Sequence, residues 1–169
     1  MDDRIPLRAD ESRTLRRLIA AIAYRSARVL KKVPREYPDF SPGSGVRPAR
    51  EIVSHMSSVL AYAYGRLSDT KRIRHELADW DTERDRFYGT LESIDDVVAK
   101  GAALNEGELD QLLQGPFADV LTHIGQLAML RRMCGAPVPG ENYFLADIEI
   151  GRAGIEQPDP VVPDPAVER

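Results

Sequence analysis

The chain is 169 residues long, 43% apolar and 30% charged, which suits a single soluble globular domain with a full hydrophobic core. A net charge of −4 offers no general attraction to nucleic acid or to an anionic membrane surface, and no apolar run approaches the roughly 20 residues that a spanning helix needs. The single cysteine, Cys134, excludes an internal disulfide, and the start Met1-Asp2-Asp3 lacks the apolar run of a signal peptide, so the chain reads as cytoplasmic.

Residues 10–33 predict the first helix. Asp10, Glu11 and Ser12 are start signals, and Leu15, Leu18, Ile19, Ile22, Val29, Leu30 and Val33 recur at threes and fours, the mark of one buried face. Arg13, Arg16, Arg17, Arg25, Arg28, Lys31 and Lys32 make the rest basic. A basic amphipathic helix can serve a nucleic acid or a membrane, but here the acidic remainder of the chain supplies an internal complement. Residues 33–48 form a loop, because Pro34, Pro38, Pro42 and Pro48 with Gly43 and Gly45 are incompatible with a helix. Tyr37 and Phe40 are the side chains to pin it to the body. Its length marks it as functional or as a crossover.

The second helix spans residues 48–69, with Ile52, His55, Met56, Val59 and Tyr62 on one face. That pattern aims His55 at the core, where a lone histidine is more often a hydrogen-bonded core residue than a ligand. The third helix covers residues 79–100, with Leu77, Trp80, Phe87, Leu91, Ile94 and Val98 as its stripe. Its acidic surface, Asp79, Asp81, Glu83, Asp85, Glu92, Asp95 and Asp96, complements the basic first helix. His75, among the charges of KRIRHEL, reads as exposed. A connector over residues 101–115 holds one short helical turn.

The last helix, PFADVLTHIGQLAMLRRMCG over residues 116–135, is apolar on most of its circumference, so it reads as buried. Pro116 suits a first helical position and Gly135 a C-cap. Asp119, Thr122, His123 and Gln126 interrupt the apolar run on one stripe, and Asp119 and His123, four apart, meet on one face. An inward carboxylate, imidazole and amide point to a metal or a polar site. Cys134 lies at the negative end of the helix dipole, which disfavours a thiolate nucleophile. Beyond it, Phe144, Ala146, Ile148 and Ile150 alternate with Asp147 and Glu149, the pattern of an extended segment on the surface or against a partner. The Pro-rich end reads as extended or disordered.

Four amphipathic helices with one long loop predict an all-α, four-helix bundle domain over residues 1–155, with a short connector helix, an extended C-terminal segment and a Pro-rich tail at 156–169. The long connection through the short helix leaves room for a crossover between non-adjacent helices.

LTHIGQLAMLRRMCGAPV resembles the last-helix signature of the DinB-like superfamily, in which a histidine is followed after three residues by a second histidine, then by a residue, Gly, Gln and an apolar position. His123, Gly125, Gln126 and Leu127 match the second half. VRPAREIVSHMSSVLAY is similar to the family's second helix, whose histidine corresponds to His55. VPREYPDF and GAPVPGENYFLADIEIG add to the resemblance, which covers residues 15–150. It implies an up-down-down-up bundle holding a divalent metal on one histidine of the second helix and two of the last.

This chain departs from that set at Asp119, where the family has its first histidine. A carboxylate can bind at the same place, so the resemblance implies His55, Asp119 and His123 as ligands for zinc, nickel or ferrous iron. The carboxylate lowers the formal charge of the site from +2 to +1, which makes a bound water less acidic. Gln126 is the candidate to orient a ligand or support the site from behind. Two functions follow from the resemblance: a metal-dependent hydrolase or thiol-dependent transferase acting on a small molecule, or a non-catalytic, stress-related bundle that binds a small ligand or a partner with a vestigial metal site. Family resemblance, the alternating segment over residues 142–150 and the apolar breadth of the last helix also imply a homodimer.

Overall fold

The structure, a computed structural model, describes residues 4–43, 45–71 and 75–162; the acidic start, residues 72–74 of KRIRHEL and the end of the tail lie outside them. Four long helices dominate: α1 (Ala9–Leu30), α2 (Ala49–Ser68), α3 (Trp80–Ala99) and, after the short α4 (Glu108–Leu112), α5 (Ala118–Met133). Among the described residues the protein is all-α apart from a pair of two-residue strands. In this pair β1 (Ile5–Pro6) runs antiparallel to β2 (Ala103–Leu104), with Ile5 opposite Leu104. It clips the N-terminus to the connector after α3, and two residues are too few for a periodicity to announce.

Local chemistry sets the helix ends. At the start of α1, Glu11 accepts the Arg8 backbone N–H at 2.9 Å. The helix stops short of the expected residue 33 because Lys32 turns into the left-handed region (φ 49°) and Pro34 disfavours a helical Val33. Asp69 closes α2 in the same left-handed conformation, at φ 57°. Asp79 caps α3, accepting the Thr82 backbone N–H at 3.0 Å and its hydroxyl at 2.7 Å.

α1 and α2 each pack on both α3 and α5. The core they enclose includes Leu15, Ile19, Ile52, Met56, Phe87, Leu91, Phe117 and Val120. Tyr37 pins the Pro-rich loop as expected: it is wholly buried, donates its hydroxyl to the Leu127 carbonyl at 2.8 Å and meets Trp80 edge-on at 5.7 Å. The charge match between α1 and α3 is carried by Arg16, whose guanidinium grips Asp95 with two bonds of 2.9 and 2.8 Å.

Beyond α5 the chain does not run extended. Residues 142–152 form successive turns, Leu145 N–H to Asn142 C=O, Ile148 to Ala146 and Arg152 to Glu149. The alternation survives as burial: Ala146, Ile148 and Ile150 are half-buried while Asp147 and Glu149 are exposed, but Phe144 stands 94% exposed. Backbone that crosses α1 with little strand pairing meets most of its hydrogen bonds locally, hence the turns. Among the described residues no helix is long and apolar enough to cross a membrane.

Candidate metal centre

α5 divides its surface among three neighbours rather than burying all of it. Val120, Leu127 and Leu130 enter the core, while Thr122, Gln126, Met129 and Met133 are exposed. The polar stripe expected to face inward therefore lies along the edge of α5 that meets α2. His55 is corrected likewise. The core stripe of α2 is Ile52, Met56, Leu60 and Ala63, and His55 and Tyr62 sit on its flank, His55 with 36% of its side chain exposed and Tyr62 with 48% of the residue. A helix turns 100° per residue, so one apolar face read at threes and fours spans both a core strip and its margin.

On that margin the structure brings the three candidate ligands together. His55 Nε2 lies 3.2 Å from Asp119 Oδ2, and His123 Nε2 lies 3.5 Å from Asp119 Oδ1. The imidazoles meet edge to face with centroids 4.8 Å apart. One donor atom from each residue falls within 4.8 Å of the others. His123 is the most enclosed, its side chain 14% exposed, while Asp119 is 42% exposed.

Hydrogen bonding fixes the nitrogens. His123 Nδ1 is 2.9 Å from Gln126 Oε1. An amide oxygen only accepts, so in this contact Nδ1 donates, and the neutral ring with its proton there keeps the Nε2 lone pair for a metal. This is the support expected of a metal-ligating histidine. On His55 the Nε2 proton points to Asp119 Oδ2, and that nitrogen ligates after its proton moves to Nδ1 or to solvent.

The donor set fits a divalent ion. Two imidazoles and one carboxylate, open to solvent on one side, suit zinc, nickel or ferrous iron with a position left for another ligand. Bonds near 2.1 Å place tetrahedral ligands about 3.4 Å apart, so side-chain rotation must draw the widest pair inward. Beside the cluster runs an open groove of about 680 Å³, walled by Val59 and Tyr62 of α2, Gln114 and Pro116 of the turn before α5, and Thr122.

That turn was not legible as such. Instead of opening a helix, Pro116 sits in a π-helical turn, Leu113–Phe117, that joins α4 to α5 without a break. A π turn widens the backbone by one residue and absorbs the N–H that proline lacks. It also delivers Gln114 to the groove; the dipeptide Gly115-Pro116 in an apolar run is the signal that could have located it. His75 is exposed, as expected. Cys134 follows His123 by eleven residues, about 16 Å along the helix, and has no place in the cluster.

Compared with protein-family models, with curated proteins and with solved structures, the chain matches none.

Proposed function

We propose that the four long helices form a DinB-like bundle of up-down-down-up order whose function is to hold one divalent metal ion on His55, Asp119 and His123. The observation that carries this reading is the convergence of the three donors from two helices, with Gln126 Oε1 setting the His123 tautomer that ligation requires. A bound divalent ion supplies Lewis acidity toward a water or a thiol. The chain's own residues do the rest: Asp119 lowers the formal charge of the site to +1, and Val59 and Tyr62 hold a small substrate beside it. The reaction class is hydrolysis or thiol-dependent transfer. A homodimer through helix faces belongs to the same reading, with the exposed Met129 and Met133 as apolar surface for it to cover; a monomer mass by light scattering across micromolar concentrations overturns that element.

One observation favours the non-catalytic alternative. Asp119 is half-exposed and already bonded to His55, so its charge is solvated without a cation. Elemental analysis of protein purified without a metal-affinity tag tests the metal site, and activity that depends on added metal and is lost with the ligands separates the catalytic reading from the alternative. Near-stoichiometric metal is expected, with His55→Ala, Asp119→Ala and His123→Ala each losing most of it, His75→Ala retaining it, and Asp119→His retaining or strengthening it. Metal kept by His55→Ala, or lost equally by His75→Ala, shows that the ligands are wrongly assigned. A metal-free protein that binds a small ligand without turnover supports the alternative.

A further inference from the structure

The face of α5 away from the histidines borders a second groove, of about 650 Å³, between α5 and α1. Its walls are aliphatic: Leu18 and Val29 of α1, Leu121, Ile124 and Ala128 of α5, and Val138 of the strap that follows. Gly125 stands where a side chain from α5 would otherwise project. A Cβ placed there meets nothing within 4 Å, so the space is open rather than packed. An exposed glycine inside a helix costs about 1 kcal/mol relative to alanine, and nothing in the fold requires one here.

Two guanidiniums border this apolar space, Arg25 of α1 and Arg132 of α5. Arg25 is held with its Cζ 3.9 Å above the Tyr143 ring, a stacking that fixes its position while leaving its N–H edge unengaged. Among the described residues neither guanidinium has an acidic partner or a hydrogen-bond acceptor. The one acid of the lining, Glu141, turns its carboxylate away. One oxygen accepts the Tyr24 hydroxyl, the other faces Arg28 Nε at 3.5 Å, and the side chain is inaccessible. The groove thus presents aliphatic walls and two unpaired positive charges.

From this combination we infer a second binding site, for a small amphipathic anion: an aromatic or short-chain aliphatic body carrying a carboxylate or sulfonate. The body lies against Leu121, Ile124 and Val29, and the anionic group takes charge-assisted hydrogen bonds from Arg25 and Arg132. The volume lies within the range of about 300–1,000 Å³ typical of drug-sized ligands, which selects a free small molecule over a two-chain membrane lipid. This inference does not depend on the metal-site reading, since the two grooves lie on different sides of α5.

The test uses the full chain and two fluorescent probes, 8-anilinonaphthalene-1-sulfonate and its uncharged relative N-phenyl-1-naphthylamine. The sulfonate is expected to bind once per chain. Gly125→Leu, which fills the groove, should weaken both probes about tenfold or more, the loss expected for roughly 1.4 kcal/mol of displaced contact. Arg25→Gln and Arg132→Gln should each weaken the sulfonate by about tenfold or more, the worth of a hydrogen bond to a charged group, and leave the neutral probe unchanged. His55→Ala should alter neither. Sulfonate binding that survives Gly125→Leu overturns the site, as does an Arg25→Gln/Arg132→Gln pair that binds it undiminished. Circular dichroism identifies a variant that fails to fold; should Gly125→Leu be one, the exposed Arg132→Gln decides alone.

Discussion

Gln126 Oε1 meets His123 Nδ1 at 2.9 Å, while Nε2 of the same ring faces Asp119. Replacing Gln126 with Leu frees the ring to take either tautomer and removes a support whose loss typically costs a metal site about 10–100-fold in affinity. Competition against a chromophoric chelator should show a drop of that order, with Gln126→Glu restoring or exceeding the native value; an unchanged affinity in Gln126→Leu would mean that the contact is incidental. Buried hydroxyls give a second prediction at this scale. Burial first, then the bond to Glu141, holds Tyr24 above the ordinary phenol range, and burial does the same for Tyr37 and Tyr88. Tyr88 is the informative case, because burial raises it in spite of the Ser26 hydroxyl 3.0 Å away. Above about pH 10 the unfolded chain releases these protons while the folded one retains them, so the folded state is stabilised below that pH and progressively destabilised above it. Thermal unfolding between pH 8 and pH 11, followed for the native chain and for Tyr88→Phe, should show a steeper alkaline decline in the native chain. Parallel declines would mean that Tyr88 does not contribute to the alkaline limit.

At the scale of elements, α3 depends on a cap that titrates. The Thr82 backbone N–H, then its hydroxyl, hold the Asp79 carboxyl below the usual carboxylate range. A group whose folded pKa is depressed stabilises the fold above its unfolded pKa and loses that contribution as the pH falls through the folded value. Asp79→Ala should therefore lower Tm at pH 7, and the gap to the native chain should narrow as the pH is taken below about 4. A gap independent of pH would assign the loss to something other than the charged cap. The helices themselves were legible in the sequence because their ends are written locally: Asp79 before the third, Pro48 before the second, Pro34 after the first. The pairing of Asp119 with His123 was legible for the same reason, being four residues apart on one helix. What was not legible depends on contacts distant in sequence. The phase of α2 and α5 against each other moves His55 from the core to a groove margin; the π turn at Pro116, which joins two helices that read as separate, had only the local Gly115-Pro116 signal.

The whole molecule is closed by its C-terminal segment, and the basic face of α1 is where it closes. Arg17 donates to the Ile148 carbonyl, Arg25 stacks on Tyr143, Arg28 faces Glu141 and Lys31 pairs with Glu156 at 2.9 Å. The acidic complement expected for α1 is thus shared: Asp95 of α3 takes Arg16, while Glu141 and Glu156 after α5 face Arg28 and Lys31. Ala153, 3% exposed, joins the core, and the Asn142 N–H reaches the Val162 carbonyl at 3.1 Å. Ending the chain at Gly140 would leave the buried Tyr24 hydroxyl without its acceptor and the half-buried Arg28 without its counter-charge. Two such losses, at about 1–3 kcal/mol each, should lower Tm by on the order of 10 °C. Glu141→Gln, which keeps the segment and removes one charge, should fall between the truncated and the native chain. A chain ending at Gly140 that melts with the native protein would show that α1 needs no partner there, and that the segment is held by α1 without stabilising it.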